Sequence, residues 1–206
     1  MQKITTDDVR AKHLRITEPS PWVARFAPLV ATNGPVLDLA CGGGRHARHF
    51  LQQGHKAVLI DRNTDALSDL TENSAAEIIT FDMETDTSPF GADGPLHGRQ
   101  FDAIVVVNYW YRPLFPALVD ALAPGGVLIY ETFARGNEEF ARPRNPDHLL
   151  ISGELLDLAT SRLQIVAYEH GRLEVTDIPG VKQRLCAVKD LEISTRDDGE
   201  PAVHCL

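Results

Sequence analysis

The stretch VLDLACGGGRHARHF, residues 36–50, decides how this chain is interpreted. A short apolar run containing Asp38 is followed by three glycines, at positions 42–44, and then by a segment rich in Arg and His. This order is typical of a buried strand, a tight turn and a helix. Glycines in such a turn let a ligand approach the backbone and the positive end of the helix dipole. The same glycines could instead serve only to make the turn, so the motif alone leaves both interpretations open.

Strands and helices alternate outward from this motif. We predict strands at PVLDLA, KAVLI, EIITF, FDAIVVV, VLIYETF, LQIVAYEH and QRLCAVKD, and helices at GRHARHFLQQG, NTDALSDLTENS, RPLFPALVDALA and SGELLDLATS, the last capped by Ser152. Residues 84–100 hold too much Gly and Pro for a helix. Too few residues join the last two strands for a helical crossover. The pattern predicts an α/β fold, a Rossmann-like open sheet that is mostly parallel, with one antiparallel strand near the C-terminus and helices on both faces.

The sequence before the glycine motif predicts two helical pieces. Thr6 or Asp7 could cap the first, and Ser20 could cap the second with Pro21 at its first position. We expect this segment to belong to the same domain and to cover the site. The predicted divisions are an N-terminal helical segment over 1–32, the ligand-binding α/β domain over 33–190 and a polar C-terminal tail over 191–206.

Composition narrows the classes of protein. The 206 residues suit one domain, and the formal net charge of −9 makes nucleic acid an unexpected partner. No apolar run approaches the roughly 20 residues of a membrane span, and the N-terminus lacks the apolar core of a secretory signal. The three cysteines, at 41, 186 and 205, show no metal-ligand spacing and are expected to be free thiols. We therefore expect a cytoplasmic protein that does not bind membranes.

Acidic residues follow the first three predicted strands. Asp38 precedes the glycines, Asp61 ends the second strand and Asp82 follows the third. Asp61 comes seventeen residues after Gly44, close to the spacing of an acid that accepts hydrogen bonds from ribose hydroxyls. Because parallel strands end at one edge of the sheet, we expect the three carboxylates to converge on one crevice that binds a nucleoside.

Two nucleoside ligands compete for that crevice. GGGRHA also satisfies the dinucleotide pattern G-x-G-x-x-A, so a nicotinamide dehydrogenase is an alternative, although no catalytic pair is recognisable. A pyrophosphate is anionic and would lie close to Asp38, whereas a sulfonium cation is attracted by a carboxylate. Asp38 therefore favours S-adenosylmethionine.

The sequence resembles the class I S-adenosylmethionine-dependent methyltransferases, most closely the small stand-alone bacterial ones. VLDLACGGGR resembles their first motif, D-x-G-x-G-x-G, with alanine at the first glycine position, and LAPGGVLIYETF resembles their fifth strand with its preceding turn. The resemblance implies that Asp61 binds the ribose hydroxyls, Asp82 the adenine amino group and the Met83 amide the adenine ring. The implied cofactor-binding residues are Asp38, Ala40, Gly42, Gly43, Gly44, Asp61, Arg62, Asp82, Met83 and Asn108.

The resemblance also implies an activity. We expect methyl transfer from S-adenosylmethionine to a small-molecule acceptor by in-line displacement, with S-adenosylhomocysteine as product. Methylation of RNA or protein, and binding of the cofactor without catalysis, are the alternatives. The protein is expected to be a monomer or a homodimer.

Two segments are candidates for the acceptor side. Asn108 ends the fourth strand and is followed by three aromatics, and an Arg-rich loop follows the fifth strand. Aromatics can wall a pocket and arginines can clamp a carboxylate or phosphate; core packing of the aromatics and surface ion pairs of the arginines are the alternatives. The acceptor-side candidates are Asn108, Tyr109, Trp110, Tyr111, Arg135, Arg142 and Arg144.

Histidines at 46, 49 and 55 raise the question of a metal site. No carboxylate completes the set at a convincing spacing, so we predict no metal and a solvent-facing helix. Cys41 is expected to be a small packed residue rather than a nucleophile.

Overall fold

The fold is an open seven-stranded sheet with the strand order β3-β2-β1-β4-β5-β7-β6. The computed structural model describes residues 13–31 and 34–205. β7 runs antiparallel to both of its neighbours, and the pairs among the first five strands are parallel. The predicted mostly parallel sheet with one antiparallel strand is therefore confirmed. The strands are β1 Pro35–Leu39, β2 Lys56–Asp61, β3 Ala76–Thr80, β4 Phe101–Val107, β5 Leu122–Phe133, β6 Gln164–Leu173 and β7 Gly180–Val188.

The α-helices that lie wholly within the described residues are α1 Pro21–Phe26, α2 Arg45–Gln52, α3 Phe115–Asp120 and α4 Glu154–Thr160. The helix predicted from NTDALSDLTENS is instead a 3-10 helix, Asp65–Leu70. The side chains of Asn63 and Asn73 each accept a backbone N–H two residues on, so turns occupy both ends of this connection. Residues 84–100 contain neither helix nor strand, as predicted.

Of the two helix caps predicted within the described residues, one is confirmed and the other is wrong. The Ser20 hydroxyl accepts the Trp22 N–H at 3.2 Å and caps α1, as predicted. The cap predicted at Ser152 is wrong, because Gly153 with φ 79° occupies that position. Glu154 accepts the Ile151 N–H at 2.8 Å and so satisfies this turn with its side chain. The helix piece predicted from Thr6 or Asp7 lies outside the described residues.

Alternate strand residues bury opposite faces of the sheet. Val105 and Ile129 pack beneath α1, where Trp22 and Phe26 are 2% and 1% exposed. Their neighbours along the strands, with Leu128 among them, face the other layer, formed by α3 and α4. Because both faces are covered, the carboxyl ends of the parallel strands remain as the edge at which a ligand can bind.

None of the helices within residues 13–31 and 34–205 is long and apolar enough to cross a membrane. Residues 191–205, in the stretch expected to be a polar tail, contain no helix or strand. His204 in this stretch lies 2.8 Å from Asp190, beside β7.

Candidate functional site

A cavity of about 490 Å³ opens at the carboxyl ends of β1, β2, β3 and β4. Four turns of the chain, one after each strand, contribute residues predicted from the sequence. These are Ala40, Gly42 and Gly43 after β1, Asp61 and Arg62 after β2, Asp82 and Met83 after β3, and Asn108 and Tyr109 after β4. The structure thus brings most of the predicted cofactor-binding residues to one place.

The turn after β1 takes positive φ at every second residue. Ala40, Gly42 and Gly44 have φ of 56°, 55° and 70°. A side chain built on Gly44 would lie 2.8 Å from Leu67 and 2.9 Å from Leu59, whereas one on Gly42 would meet nothing within 4 Å. The two glycines therefore differ: Gly44 allows the helix to pack, and Gly42 keeps the floor of the cavity open.

Alanine at position 44 should destabilise the fold more than alanine at position 42. Gly44→Ala combines positive φ with overpacking against two leucines, so we expect a loss of about 2 kcal/mol or more. Gly42→Ala carries only the conformational cost, about 1 kcal/mol. Urea denaturation of both variants measures the difference. Equal losses would contradict the packing role of Gly44.

Asp61 connects two of the turns around the cavity. Its Oδ2 accepts the Gly42 N–H at 2.9 Å and its Oδ1 accepts the Asn63 N–H at 3.0 Å. Asp82 also orders its own turn, since its Oδ1 accepts the Glu84 N–H at 3.0 Å. A carboxylate oxygen has a second lone pair, so both acids retain capacity to accept hydrogen bonds from a ligand.

Asp38 does not join Asp61 and Asp82 in the cavity, which corrects the prediction that three carboxylates ring one crevice. Its side chain is buried and its Oδ2 accepts the Ala47 N–H at 2.9 Å, so it anchors α2 to β1. Burial raises the pKa of Asp38 to about 7, the nearby charge of Asp61 adds to this, and the Ala47 N–H opposes it. The β1 strand directs this acid toward the interior of the protein, away from the cavity lining.

The raised pKa of Asp38 predicts a pH dependence of stability. An unfolded aspartate has a pKa of about 3.9, so between about pH 4 and 7 the folded state holds a proton that the unfolded state releases. The free energy of unfolding therefore falls as pH rises through this range. Wild type should lose on the order of 1–2 kcal/mol relative to Asp38→Asn between pH 5 and 7. Urea denaturation at both pH values measures this, and a difference independent of pH would contradict it.

His46 lies in the interior, contrary to the predicted solvent-facing helix. It is 5% exposed, one helical turn before the buried Phe50, because this face of α2 packs against the sheet. Burial lowers its pKa well below the usual value, so the imidazole is neutral. Its side chain lines the cavity, and its Nε2 has no hydrogen-bond partner within the described parts of the chain. His55 is also buried, with its Nδ1 3.4 Å from the Gly34 carbonyl.

Only part of the aromatic run reaches the cavity. Asn108, with φ 60°, and Tyr109 line it. Trp110, an acceptor-side candidate, is 2% exposed and packs against Phe115 and Tyr130, so for this residue the alternative of core packing is the correct one. Tyr111 is half-buried against the same core. The rings of Trp110 and Tyr111 pack into the apolar layer beneath α3.

The Arg-rich loop after β5 does not bring its arginines to the cavity. Arg135 pairs with Glu138 at 2.8 Å, and Arg142 and Arg144 are exposed. His148 from this loop does line the cavity. The clamp predicted from these arginines is therefore not assembled, because the loop directs them to solvent.

The structure contains a buried ionic network beside Asn108 that was not predicted from the sequence. Lys182 Nζ donates to Glu131 Oε1 at 2.5 Å and to Asn108 Oδ1 at 2.9 Å, and the Ser20 hydroxyl donates to Glu131 Oε2 at 2.6 Å. Lys182 is 2% exposed and Glu131 4%. Burial opposes the charge on Glu131, but Lys182 and Ser20 outweigh it and leave the pKa of Glu131 below its usual range. The available signal was Glu131 as the single charged residue of β5, together with Lys182 in β7.

Other residues line the cavity as well. His13, Leu14 and Ile16 come from the N-terminal segment, which was expected to cover the site. Arg45 at the start of α2 and Glu84 after β3 also line it and were not predicted. Cys41 is 6% exposed, and burial raises the pKa of its thiol, which fits a packed residue. Within the residues that the structure describes, no group of three His, Cys, Asp or Glu side chains could hold a metal ion.

Comparison with known proteins supports the resemblance. Residues 36–126 match the family model described as a methyltransferase domain. The chain is 28% identical over 110 residues to the ubiquinone biosynthesis O-methyltransferase of Psychrobacter cryohalolentis, a match to 51% of this chain and 43% of that protein. It is 34% identical over 114 residues to the tRNA U34 carboxymethyltransferase of Methylococcus capsulatus, a match to 52% of this chain and 34% of that protein. Each match spans less than half of the relative.

The fold also has solved counterparts. TehB from Haemophilus influenzae superposes with a TM-score of 0.67 at 18% identity, over 89% of this chain and 66% of that one. At this identity the comparison supports the fold alone. Residues 36–126 match the methyltransferase domain family, and the chain as a whole shares its fold with these solved structures.

Proposed function

We propose that this protein transfers a methyl group from S-adenosylmethionine to a small-molecule acceptor. The observation that supports this most is the cavity that brings the open glycine turn together with Asp61 and Asp82, from three successive strands. Position and chemistry match what a nucleoside requires: backbone amides beside β1 and carboxylates for hydroxyl and amino donors.

The residues of the cavity fit this cofactor. Its lining holds three acids, Asp61, Asp82 and Glu84, and two arginines, Arg45 and Arg62, so the carboxylates outnumber the guanidinium groups by one. This excess, rather than Asp38, favours the cationic sulfonium and ammonium groups over an anionic pyrophosphate. A second sign is the buried Nε2 of His46, which lacks a partner among the described residues and would gain one from a polar ligand.

The proposed chemistry requires alignment more than reactive side chains. When bound, the cofactor supplies a methyl group activated by its sulfonium. Asp61 and Asp82 would orient the adenosyl part, and Asn108 would border the reacting end. Asn108 is rigid because Lys182 holds its side chain and its N–H donates to the Glu131 carbonyl at 2.8 Å. Fixed geometry of this kind can contribute roughly 7–11 kcal/mol to lowering the barrier.

The similarity to a ubiquinone O-methyltransferase and the net charge of −9 support a small molecule as acceptor. Transfer to tRNA is the second candidate, because the chain is 34% identical over 114 residues to a tRNA carboxymethyltransferase. Polyanion binding normally depends on clustered basic residues, which the overall charge disfavours.

Calorimetry with S-adenosylmethionine, S-adenosylhomocysteine and NAD tests the cofactor. We expect binding of the two adenosyl ligands and none of NAD; the reverse would contradict the proposal. Incubation with methyl-labelled cofactor, separately with a small-metabolite extract and with total tRNA, then tests the acceptor. Label in the metabolite fraction supports the proposal, label in tRNA supports the second candidate, and label in neither supports binding without catalysis.

A further inference from the structure

A second cavity, of about 310 Å³, lies next to the first. It is bounded by the start of α1, by Glu131 on β5 and by the hairpin connection between β6 and β7. Arg45, the first residue of α2, lines both cavities. A ligand in the second cavity would therefore lie beside the one proposed for the first.

Charged side chains of both signs line this cavity: the cations Arg45, Arg172, Lys182 and Arg184, and the acids Glu131, Glu174 and Asp177. Both carboxylate oxygens of Glu131 already accept bonds, from Lys182 and Ser20. Glu174 forms a 3.4 Å ion pair with Arg172. These two acids are therefore largely engaged within the protein, and the charge of the third, Asp177, favours the cationic form of Arg45.

Three guanidinium groups, those of Arg45, Arg172 and Arg184, line the same space. Arg45 donates from one nitrogen to the Glu18 carbonyl at 3.0 Å, and the charges of Glu131, Asp38 and Asp177 favour its cationic form. Arg184 donates through one nitrogen to Glu169, which lies outside the cavity lining. Each guanidinium carries several N–H donors in a planar fork that suits carboxylate and phosphate oxygens.

We propose that the second cavity is the acceptor site and that it holds an oxyanion of the acceptor, a carboxylate or phosphate, through Arg45, Arg172 and Arg184. The inference rests on the proposed methyl transfer. The role predicted for the arginines of the loop after β5 is thereby assigned to a different set. Ile178 and Val175, also in the lining, would contact the less polar part of the acceptor.

Benzoate and its neutral analogue benzamide test this site. Each is titrated by calorimetry into protein saturated with S-adenosylhomocysteine, whose own binding is measured first. We expect benzoate to bind at least about tenfold more tightly than benzamide. Arg184→Gln should weaken benzoate about fivefold or more and leave benzamide unchanged. Methyl NMR signals of Val175 and Ile178 should shift on addition of benzoate.

Arg25→Gln is the matched control. Like Arg184, Arg25 lies over the Trp22 ring and faces Glu169, at 3.8 Å. Unlike Arg184, it does not line the cavity. Its substitution should leave benzoate binding unchanged. Arg172→Gln, at an exposed position, repeats the test if Arg184→Gln does not fold.

The outcomes separate the two proposals. If S-adenosylhomocysteine does not bind, the proposed function fails. If it binds, but benzoate and benzamide bind equally, the second inference alone is overturned. Equal effects of Arg25→Gln and Arg184→Gln, or NMR shifts confined to Leu14 and Ile16 of the first cavity, would also overturn it.

Discussion

Replacing Asp61 by alanine is expected to lower the affinity for S-adenosylhomocysteine about 100-fold, or roughly 2.7 kcal/mol. The carboxylate accepts the N–H groups of Gly42 and Asn63, so it holds together the turns after β1 and β2. Its loss removes both the proposed acceptor for the ribose hydroxyls and the geometry of the glycine turn. Calorimetry with the purified variant measures the change.

Two further variants separate these contributions. Asp61→Asn retains one carbonyl oxygen as an acceptor and should lose less affinity than Asp61→Ala. Asp65→Ala, at an exposed position just after this turn, should bind like the wild type. An affinity of Asp61→Ala equal to that of the wild type would show that the ribose does not lie at Asp61.

Replacing Lys182 by methionine is expected to lower the free energy of unfolding by about 3–5 kcal/mol. Methionine preserves much of the side-chain volume but leaves the Glu131 carboxylate buried without its cation, 4% exposed. The substitution also releases the Asn108 side chain, which Lys182 holds at 2.9 Å. Urea denaturation monitored by circular dichroism measures the loss.

The double variant Lys182→Met with Glu131→Gln tests the cause. Removing both charges eliminates the uncompensated ion, so the double variant should be more stable than Lys182→Met alone. Lys56→Met, at the exposed start of β2, serves as control and should change stability by less than about 0.5 kcal/mol. A Lys182→Met variant as stable as this control would contradict the importance of the pair.

The order of strands and helices was predictable because it depends on local patterns. Apolar runs such as residues 101–107, separated by helix caps and glycine turns, predict a parallel sheet wherever they alternate with helices. The short connection before β7 was sufficient to predict the antiparallel strand. Asx turns at Asn63 and Asn73 shortened one predicted helix, because turn-forming side chains compete with helical hydrogen bonding.

The sequence by itself determined the sheet, its open carboxyl edge and the position of Asp61 and Asp82 at that edge, since strand ends and glycine turns are properties of neighbouring residues. Only the tertiary structure decided which way each side chain faces. It turned Asp38 and His46 inward, placed Trp110 in the core and paired Glu131 with Lys182, 51 positions apart. Such contacts depend on which elements pack together, and the spacing of residues within one element does not specify that packing.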